Sequence, residues 1–335
     1  MNVQDKLNLI TRNCQEIIGY DELKEKLEAG KELQHYIGFE ISGMVHLGTG
    51  LVSMGKIADF LKAGIKCKIF LADYHSFLNN KMGGDWEKIR YATEHYFKKA
   101  LIASLLCFGV KENEVEFVTA KDYYEKTPEE WENLFKVSKH ITLSRNLRSI
   151  SIMGKEMGND VDMATLFYPP LQVADIFTMK IDIAHAGMDQ RKAHVVARDV
   201  AKKLDWSPPI CVHHNLIAGL TEPQKGEKMS KSIPGSAIYI HDSEEQIRAK
   251  IKKAYCPPQI VEFNPIINWV KTLMFWGEET AECKKIIDDF VSGDLHPMDL
   301  KEMVANWLVE KLRPAREFFP YSDDEGLFSQ KPLKS

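Results

Sequence analysis

No apolar run in this 335-residue chain approaches the roughly 18 residues that a membrane span needs. The first residues, MNVQDKLNLITRNCQEI, mix acids, bases and amides, and lack the basic start and apolar run of a secretory signal. The expectation is a cytoplasmic protein without a membrane partner. Cysteine is scarce: six residues, at 14, 67, 107, 211, 256 and 283, with no CxxC pair among them. Their neighbours are apolar, as in KCKIFL and LLCFG, so they read as reduced core residues and not as a disulfide frame or a metal cage. No protein-held metal is expected. Positive charge is not in excess either. The formal net charge of −4 excludes a surface that is basic all over, but leaves room for local stripes such as RAKIKKAY (248–255) and the weaker EKLRPAR (310–316). Internal repeats and low-complexity segments are absent as well.

What is present alternates. Residues 1–32 read as an arm of two short helices, with Asp21 as N-cap and Gly30 as stop for the second. HYIGF, CKIFLADY, EVEFVTA, IDIAHAG and PICVHHN read as buried strands, separated by amphipathic helices. One helix starts at the Asp85 cap and another runs from Leu51 and is ended by Gly64. A third runs from Tyr168 onward, with Pro169 and Pro170 in its first turn. This alternation predicts a doubly wound, Rossmann-like α/β domain over 33–240, with a parallel sheet covered on both faces. A polar helical insertion interrupts it at about 121–160. From Ser243, which forms a capping-box pattern with Gln246, the chain reads as helices only: about 243–255, 264–276, 279–291 and 298–319. A second, all-helical domain over 241–335 is expected.

In an open parallel sheet, ligands sit at the carboxyl ends of the strands. The first such end here is YIGFEISGMVHLGTG. Gly38, Gly43, Gly48 and Gly50 let backbone approach a ligand, and the helix that follows aims its N–H groups at the same place, which favours phosphate. No G-K-[ST] closes the turn, so it is not a P-loop, and it is not a GxGxxG either. Its distinctive residue is His46. After the last strand comes GEKMSKSIPGS (226–236), a Gly- and Pro-bracketed loop carrying Lys228, Lys231, Ser230 and Ser232. Two amines and several hydroxyls on one loop suit a ligand with many negative oxygens.

The HLG turn and the KMSKS loop, in this order and fold context, resemble the bipartite signature of class I aminoacyl-tRNA synthetases. The resemblance implies an ATP-dependent activation of an amino acid, with Mg²⁺ accompanying the ATP. His46, Lys228 and Lys231 would then meet the charge that builds on the α-phosphate and the departing pyrophosphate. This is electrostatic catalysis by positioned donors, without a protein nucleophile.

Along nearly its whole length the chain resembles the archaeal and eukaryotic type of tyrosyl-tRNA synthetase. The matching stretches are YIGFEISGMVHLG, LADYHSFLN, YPPLQVADI, GMDQRKAH, GEKMSKS, IRAKIKKAYCP and LHPMDLK. The resemblance implies that Tyr36 and Asp175 bond the phenolic hydroxyl of L-tyrosine, that Tyr168, Gln172 and Gln190 hold its ammonium group, and that Glu40 lies at the pocket mouth. It assigns the ATP ribose to Asp189 and further ATP contacts to Gly38, Gly48, Thr49 and Gly187, with Met229, Ser230 and Ser232 on the loop. Thr49 stands where the signature often has a second histidine; it can offer a hydroxyl to phosphate or serve as a helix N-cap. His296 and Asp299 would contact the anticodon of tRNA-Tyr, with Asp299 alternatively a plain first-turn acid. Phe275 and Trp276 read either as stacking platforms for an anticodon base or as core. The insertion would contribute to a homodimer.

The spacing of Tyr168, Gln172 and Asp175, i, i+4 and i+7, independently puts three polar groups on one helix face among apolar neighbours. Buried polar groups need partners. The rivals are a tryptophanyl relative, another adenylyltransferase, and a synthetase-derived binding module without catalysis.

Overall fold

The computed structural model describes residues 1–154, 162–222, 235–323 and 326–328. Among them, six strands form one sheet: β1 (Cys14–Ile18), β2 (Gln34–Phe39), β3 (Lys66–Leu71), β4 (Glu116–Thr119), β5 (Ile183–Gly187) and β6 (Ile210–His214), in the order β1-β6-β5-β2-β3-β4. All neighbours are parallel except β1, which runs antiparallel on the β6 edge. The five expected strands are in place, and the helices between them give the doubly wound α/β arrangement. Strand β1 is the exception. The first residues form two helices, Val3–Thr11 and Tyr20–Glu28, but CQEII between them is a strand. It pairs with residues about two hundred positions later (Ile18 with Cys211), and nothing local marks that. The Tyr20–Glu28 helix is preceded by Gly19 in the left-handed region (φ 88°), so Asp21 lies in its first turn instead of capping it.

The chain leaves β2 to build β3 and β4 on one side, and later returns to build β5 and β6 on the other. Strands β2 and β3 match over six residue pairs, but β2 and β5 only over two, His35 with Ile183 and Tyr36 with Ala184. Beyond Tyr36 the strands part. This is the reversal of strand order at which an open α/β sheet offers a crevice.

The helix carrying YPPLQVADI runs Met163–Thr178 and not from Tyr168, because the side chain of Asp162 caps it by accepting from the Thr165 N–H at 2.8 Å. The two prolines are therefore interior. Pro170 has no N–H for the carbonyl four residues back, that of Leu166. Asn146, in the insertion, fills that place by donating its Nδ2 to the Leu166 carbonyl at 2.8 Å.

After Ser243, whose capping box with Gln246 is formed, helices span Glu244–Lys253, Pro265–Trp269, Ala281–Ser292 and Pro297–Phe318. Their buried residues, among them Ile251, Trp269 and Leu308, share one continuous core with Leu7, Phe60 and Leu101. A buried carboxylate, Asp59, ties the same parts together. It accepts from Arg12 Nε at 3.0 Å and from Trp276 Nε1 at 2.7 Å, and lies 3.5 Å from the buried Lys56 ammonium. The indole N–H of Trp276 is thus committed to the protein. No helix among the described residues is long and apolar enough to cross a membrane.

The proline account has a direct check. Asn146→Ala is expected to lower unfolding free energy by about 1 kcal/mol in the natural background, and by clearly less with Pro170→Ala, whose restored N–H serves Leu166. Urea denaturation of the four proteins measures the coupling; an equal cost in both backgrounds contradicts the account.

Candidate active site

The crevice holds a cleft of about 950 Å³, lined by the ends of β2, β5 and β6 and by the turn after β2. Glycines shape it by what their missing Cβ leaves room for. A Cβ on Gly38 would stand 2.6 Å from the Tyr36 hydroxyl, one on Gly48 would stand 2.8 Å from His46 Cε1, and one on Gly187 would stand 2.7 Å from Asp189 Oδ1. Each glycine therefore admits a neighbouring polar side chain, besides leaving backbone open to a ligand.

His46 Nδ1 accepts from the Gly48 N–H at 3.0 Å, so a neutral ring carries its proton on Nε2. The turn enters the next helix through a wide π-helical stretch, Gly48–Ser53, which continues as Met54–Lys62. Thr49 lines the cleft but lies inside this stretch; it caps nothing. The turn is also tied to the tail: Leu47 donates to the Ile238 carbonyl and Ile240 donates to the Val45 carbonyl, both at 3.1 Å, around a bridge between His46 and Tyr239. Leu220 donates to the Ser236 carbonyl at 2.9 Å. Lys228, Met229, Ser230, Lys231 and Ser232 belong to residues 223–234 and lie outside the described residues.

At the other end, Tyr36 and Tyr168 are buried at 3% and 5% exposure, and Asp175 is sealed beneath them at 0%. Asp175 Oδ1 accepts from the Tyr124 hydroxyl at 2.7 Å. Its Oδ2 has no hydrogen-bond partner among the described residues; His75 Nε2 lies 3.4 Å away. Burial drives His75 down to about 3, so this imidazole is neutral. Burial pushes the Asp175 carboxyl well above the usual range; the charge of Glu130 adds to this and the Tyr124 hydroxyl opposes it. Glu130 is itself fully buried, with neither oxygen in a hydrogen bond that meets ordinary geometry among the described residues, and burial raises it too, opposed by the nearby Thr178 hydroxyl. One turn above Asp175, Gln172 Nε2 donates to Gln190 Oε1 at 3.4 Å, and Gln190 Nε2 donates to the Ile152 carbonyl at 3.0 Å. Gln172 Oε1 is buried and has no hydrogen-bond partner among the described residues. Glu40, at the mouth, accepts from Asn79 at 2.6 Å and lies 3.3 Å from the Lys81 ammonium. Two buried oxygens without partners on one helix face ask for a ligand that brings its own N–H and O–H groups.

The model of the family "tRNA synthetases class I (W and Y)" matches residues 28–313. A tyrosine–tRNA ligase of Thermococcus sibiricus is 46% identical over 95% of this chain and 96% of its own. The chain belongs to the class I tyrosyl-tRNA synthetases. Its structure is similar to that of the Pyrococcus horikoshii tyrosyl-tRNA synthetase complexed with L-tyrosine, with a TM-score of 0.90, 43% identity, and 95% and 96% of the two chains covered. It is also similar to the Aeropyrum pernix tyrosyl-tRNA synthetase, with a TM-score of 0.84, 36% identity, and 98% and 97% covered.

For a tyrosyl-tRNA synthetase the cleft collects most of the expected residues. Tyr36, Gly38, Glu40, His46, Gly48, Thr49, Tyr168, Gln172, Gly187, Asp189 and Gln190 all line it, with Asp175 just below. His296 and Asp299 are elsewhere, exposed in and before the first turn of the Pro297–Phe318 helix. His296 Nδ1 caps that helix by accepting from the Met298 N–H at 3.2 Å. In the RAKIKKAY stripe, Arg248 is paired with Glu244 and Lys250 with Asp242, while Lys252 and Lys253 are exposed. Sequence reasoning missed Tyr124, Glu130, His75, Asn79, Lys81 and His214. Tyr124 and Glu130 come from the insertion, whose polar composition suggests a solvated surface; only the doubled tyrosine in KDYYEK hints otherwise.

The raised Asp175 carboxyl makes a signed prediction. Above about pH 4 the unfolded chain gives up this proton while the folded chain keeps it, so stability falls as pH rises through that window. Asp175→Asn removes this contribution. Ligand-free unfolding free energies measured from about pH 4 to 8 should therefore decline less steeply for the variant than for the natural protein; identical slopes contradict the burial argument.

Proposed function

We propose that this chain is a tyrosine–tRNA ligase that works in the cytoplasm in two steps. The ionised carboxylate of L-tyrosine attacks the α-phosphorus of ATP, the bond to the bridging oxygen breaks, and pyrophosphate leaves. A ribose hydroxyl of the terminal adenosine of tRNA-Tyr then attacks the carbonyl carbon of tyrosyl-adenylate; AMP leaves and the hydroxyl proton is released. The observation that carries the reading is the orphaned acceptor pair. Asp175 Oδ2 pairs with the phenolic hydroxyl, beside Tyr36, and Gln172 Oε1 receives an ammonium N–H, beside Tyr168 and Gln190. A site built around buried acceptors rejects a ligand that lacks the donor, because its own groups stay unpaired.

ATP lies at the other end of the cleft, against Gly38, Gly48, Thr49, Gly187 and Asp189, with Asp189 on the ribose. Its Mg²⁺ arrives with the nucleotide, held chiefly by phosphate oxygens. His46 Nε2–H donates to the phosphates. Lys228 and Lys231 neutralise the charge that develops as pyrophosphate departs, with Met229, Ser230 and Ser232 completing the nucleotide contacts. The anchors of their segment support this: Leu220 and Ser236 are bonded to each other, and Ile238 and Ile240 are bonded to the His46 turn.

The remaining contacts are with macromolecules. His296 and Asp299 meet the anticodon, read by the helical domain over 241–335. Two copies pair through the insertion, where Trp131 and Phe135 leave 44% and 70% of their surface exposed on one face of the Glu129–Lys139 helix.

Charging of total tRNA should proceed with tyrosine and not with tryptophan or phenylalanine; tryptophan-dependent charging overturns the proposal. Lys231→Ala should slow adenylate formation by about 10²-fold while leaving the dissociation constant for tyrosine unchanged. Stopped-flow measurement of both separates the roles, and a parallel loss in binding contradicts the transition-state assignment.

A further inference from the structure

The fold treats the two oxygens of the Asp175 carboxyl differently. Oδ2 is on the cleft side: it lies 3.4 Å from His75 Nε2, and the His75 ring packs edge-on against Tyr168 with centroids 4.9 Å apart. His75 and Tyr168 both line the cleft. Oδ1 accepts from the Tyr124 hydroxyl at 2.7 Å, and Tyr124 does not line the cleft. This tyrosine comes from the insertion. It belongs to the helix Ala120–Lys126, which starts directly after β4, where the side chain of Thr119 accepts from the Asp122 N–H.

The Tyr124 ring is 3% exposed and is gripped from several sides. It stacks on Tyr74 at 5.6 Å and 27°, tilts against Phe70 at 6.3 Å, and is met edge-on by Trp131 at 5.6 Å. A side chain with two torsions, packed in this way, holds its hydroxyl at one point. A carboxyl has no such restraint of its own, because the torsion about its Cβ–Cγ bond is broad and two-fold. Asp175 sits inside the Met163–Thr178 helix, whose backbone fixes its Cβ but not the plane of its oxygens. Among the described residues this carboxyl takes part in one side-chain hydrogen bond, and Tyr124 donates it. That bond sets which way the carboxyl faces, with one oxygen tied into the insertion and the other left toward the cleft.

We propose that Tyr124 is a positioning residue for substrate selectivity: its hydroxyl holds Asp175 Oδ1 so that Oδ2 meets the hydroxyl of a phenolic amino acid. The role rests on the reading of Asp175 as the partner of the phenol. Tyr124 acts through Asp175 and not on the substrate, and the helical insertion thereby takes a share in choosing the amino acid.

The test is pyrophosphate exchange by the full-length protein with tyrosine and with phenylalanine. Tyr124→Phe keeps the ring and removes the hydroxyl. It should lower the ratio of kcat/KM for tyrosine over phenylalanine about tenfold, the scale of one buried hydrogen bond, and do so through the tyrosine value. Loss of packing alone would lower both values alike, and that result overturns the proposal. Asp175→Ala separates the two readings. If it leaves the ratio unchanged, the assignment of Asp175 fails and the role of Tyr124 falls with it. If it lowers the ratio while Tyr124→Phe does not, only the Tyr124 proposal is overturned. In the Asp175→Ala background, Tyr124→Phe should change the ratio no further; a second drop means that Tyr124 acts on its own and contradicts the positioning role. A crystal structure of the unaltered protein with tyrosine bound checks the geometry without any variant. Tyr124 should stay bonded to Oδ1 with the phenol at Oδ2, and a phenol that displaces Tyr124 or takes Oδ1 overturns the proposal.

Discussion

Strands β2 and β5 stay paired for two residue pairs and then part, and the site depends on that early separation. Longer pairing would close the crevice over Tyr36 and Gly38 and leave no room for the turn that carries His46. Because the strands diverge, the ends of β2, β5 and β6 each present a polar group to one space: Tyr36, the Gly187–Asp189 turn and His214. The Met163–Thr178 helix lies against the same opening, and its polar face supplies the floor. Even the irregularities serve this arrangement. Pro170 costs the helix a hydrogen bond that Asn146 offsets, and the wide turn at Gly48 presents the helix start to the cleft.

The chemistry of the floor follows from leaving acceptors short of donors. A buried carboxylate with one free oxygen is costly for the empty protein, and burial answers by raising its affinity for a proton. A ligand that brings a hydroxyl relieves that cost, and one that lacks it leaves the cost in place. On the proposed reading, selectivity is stored as instability of the empty site. At the nucleotide end the logic is reversed. A donor of set direction, His46 Nε2–H, is fixed by the bond that the ring's other nitrogen accepts from Gly48.

Much of this was legible in the sequence, and the reasons are local. The apolar runs HYIGF and CKIFLADY marked β2 and β3, Gly64 marked the end of the helix between them, and Ser243 with Gln246 announced a capping box that is there. The spacing of Tyr168, Gln172 and Asp175 identified the floor helix before its start was known. What stayed hidden depended on distant pairing. CQEII is too short to declare itself a strand until β6 provides a partner. The buried contacts of His35 with His185 and of His185 with His214 need the register of three strands, and each of these histidines alone looks like a packed core residue. Glu130 and Tyr124 sit in a segment whose composition suggests solvent; the Glu129–Lys139 helix packs against the floor helix and buries Glu130, and Tyr124 is buried against Phe70 and Tyr74.

The central claim is that a buried, unpaired carboxylate oxygen chooses the substrate by its hydroxyl. The most direct measurement is the ratio of kcat/KM for tyrosine over phenylalanine in amino-acid activation by the unaltered protein. The account predicts a ratio of about 10⁴–10⁵, the scale for a site built to pair a hydroxyl and one for which tyrosyl-tRNA synthetases are themselves the reference case. A ratio near 10², which shape and apolar contact supply without any stranded partner, would contradict it.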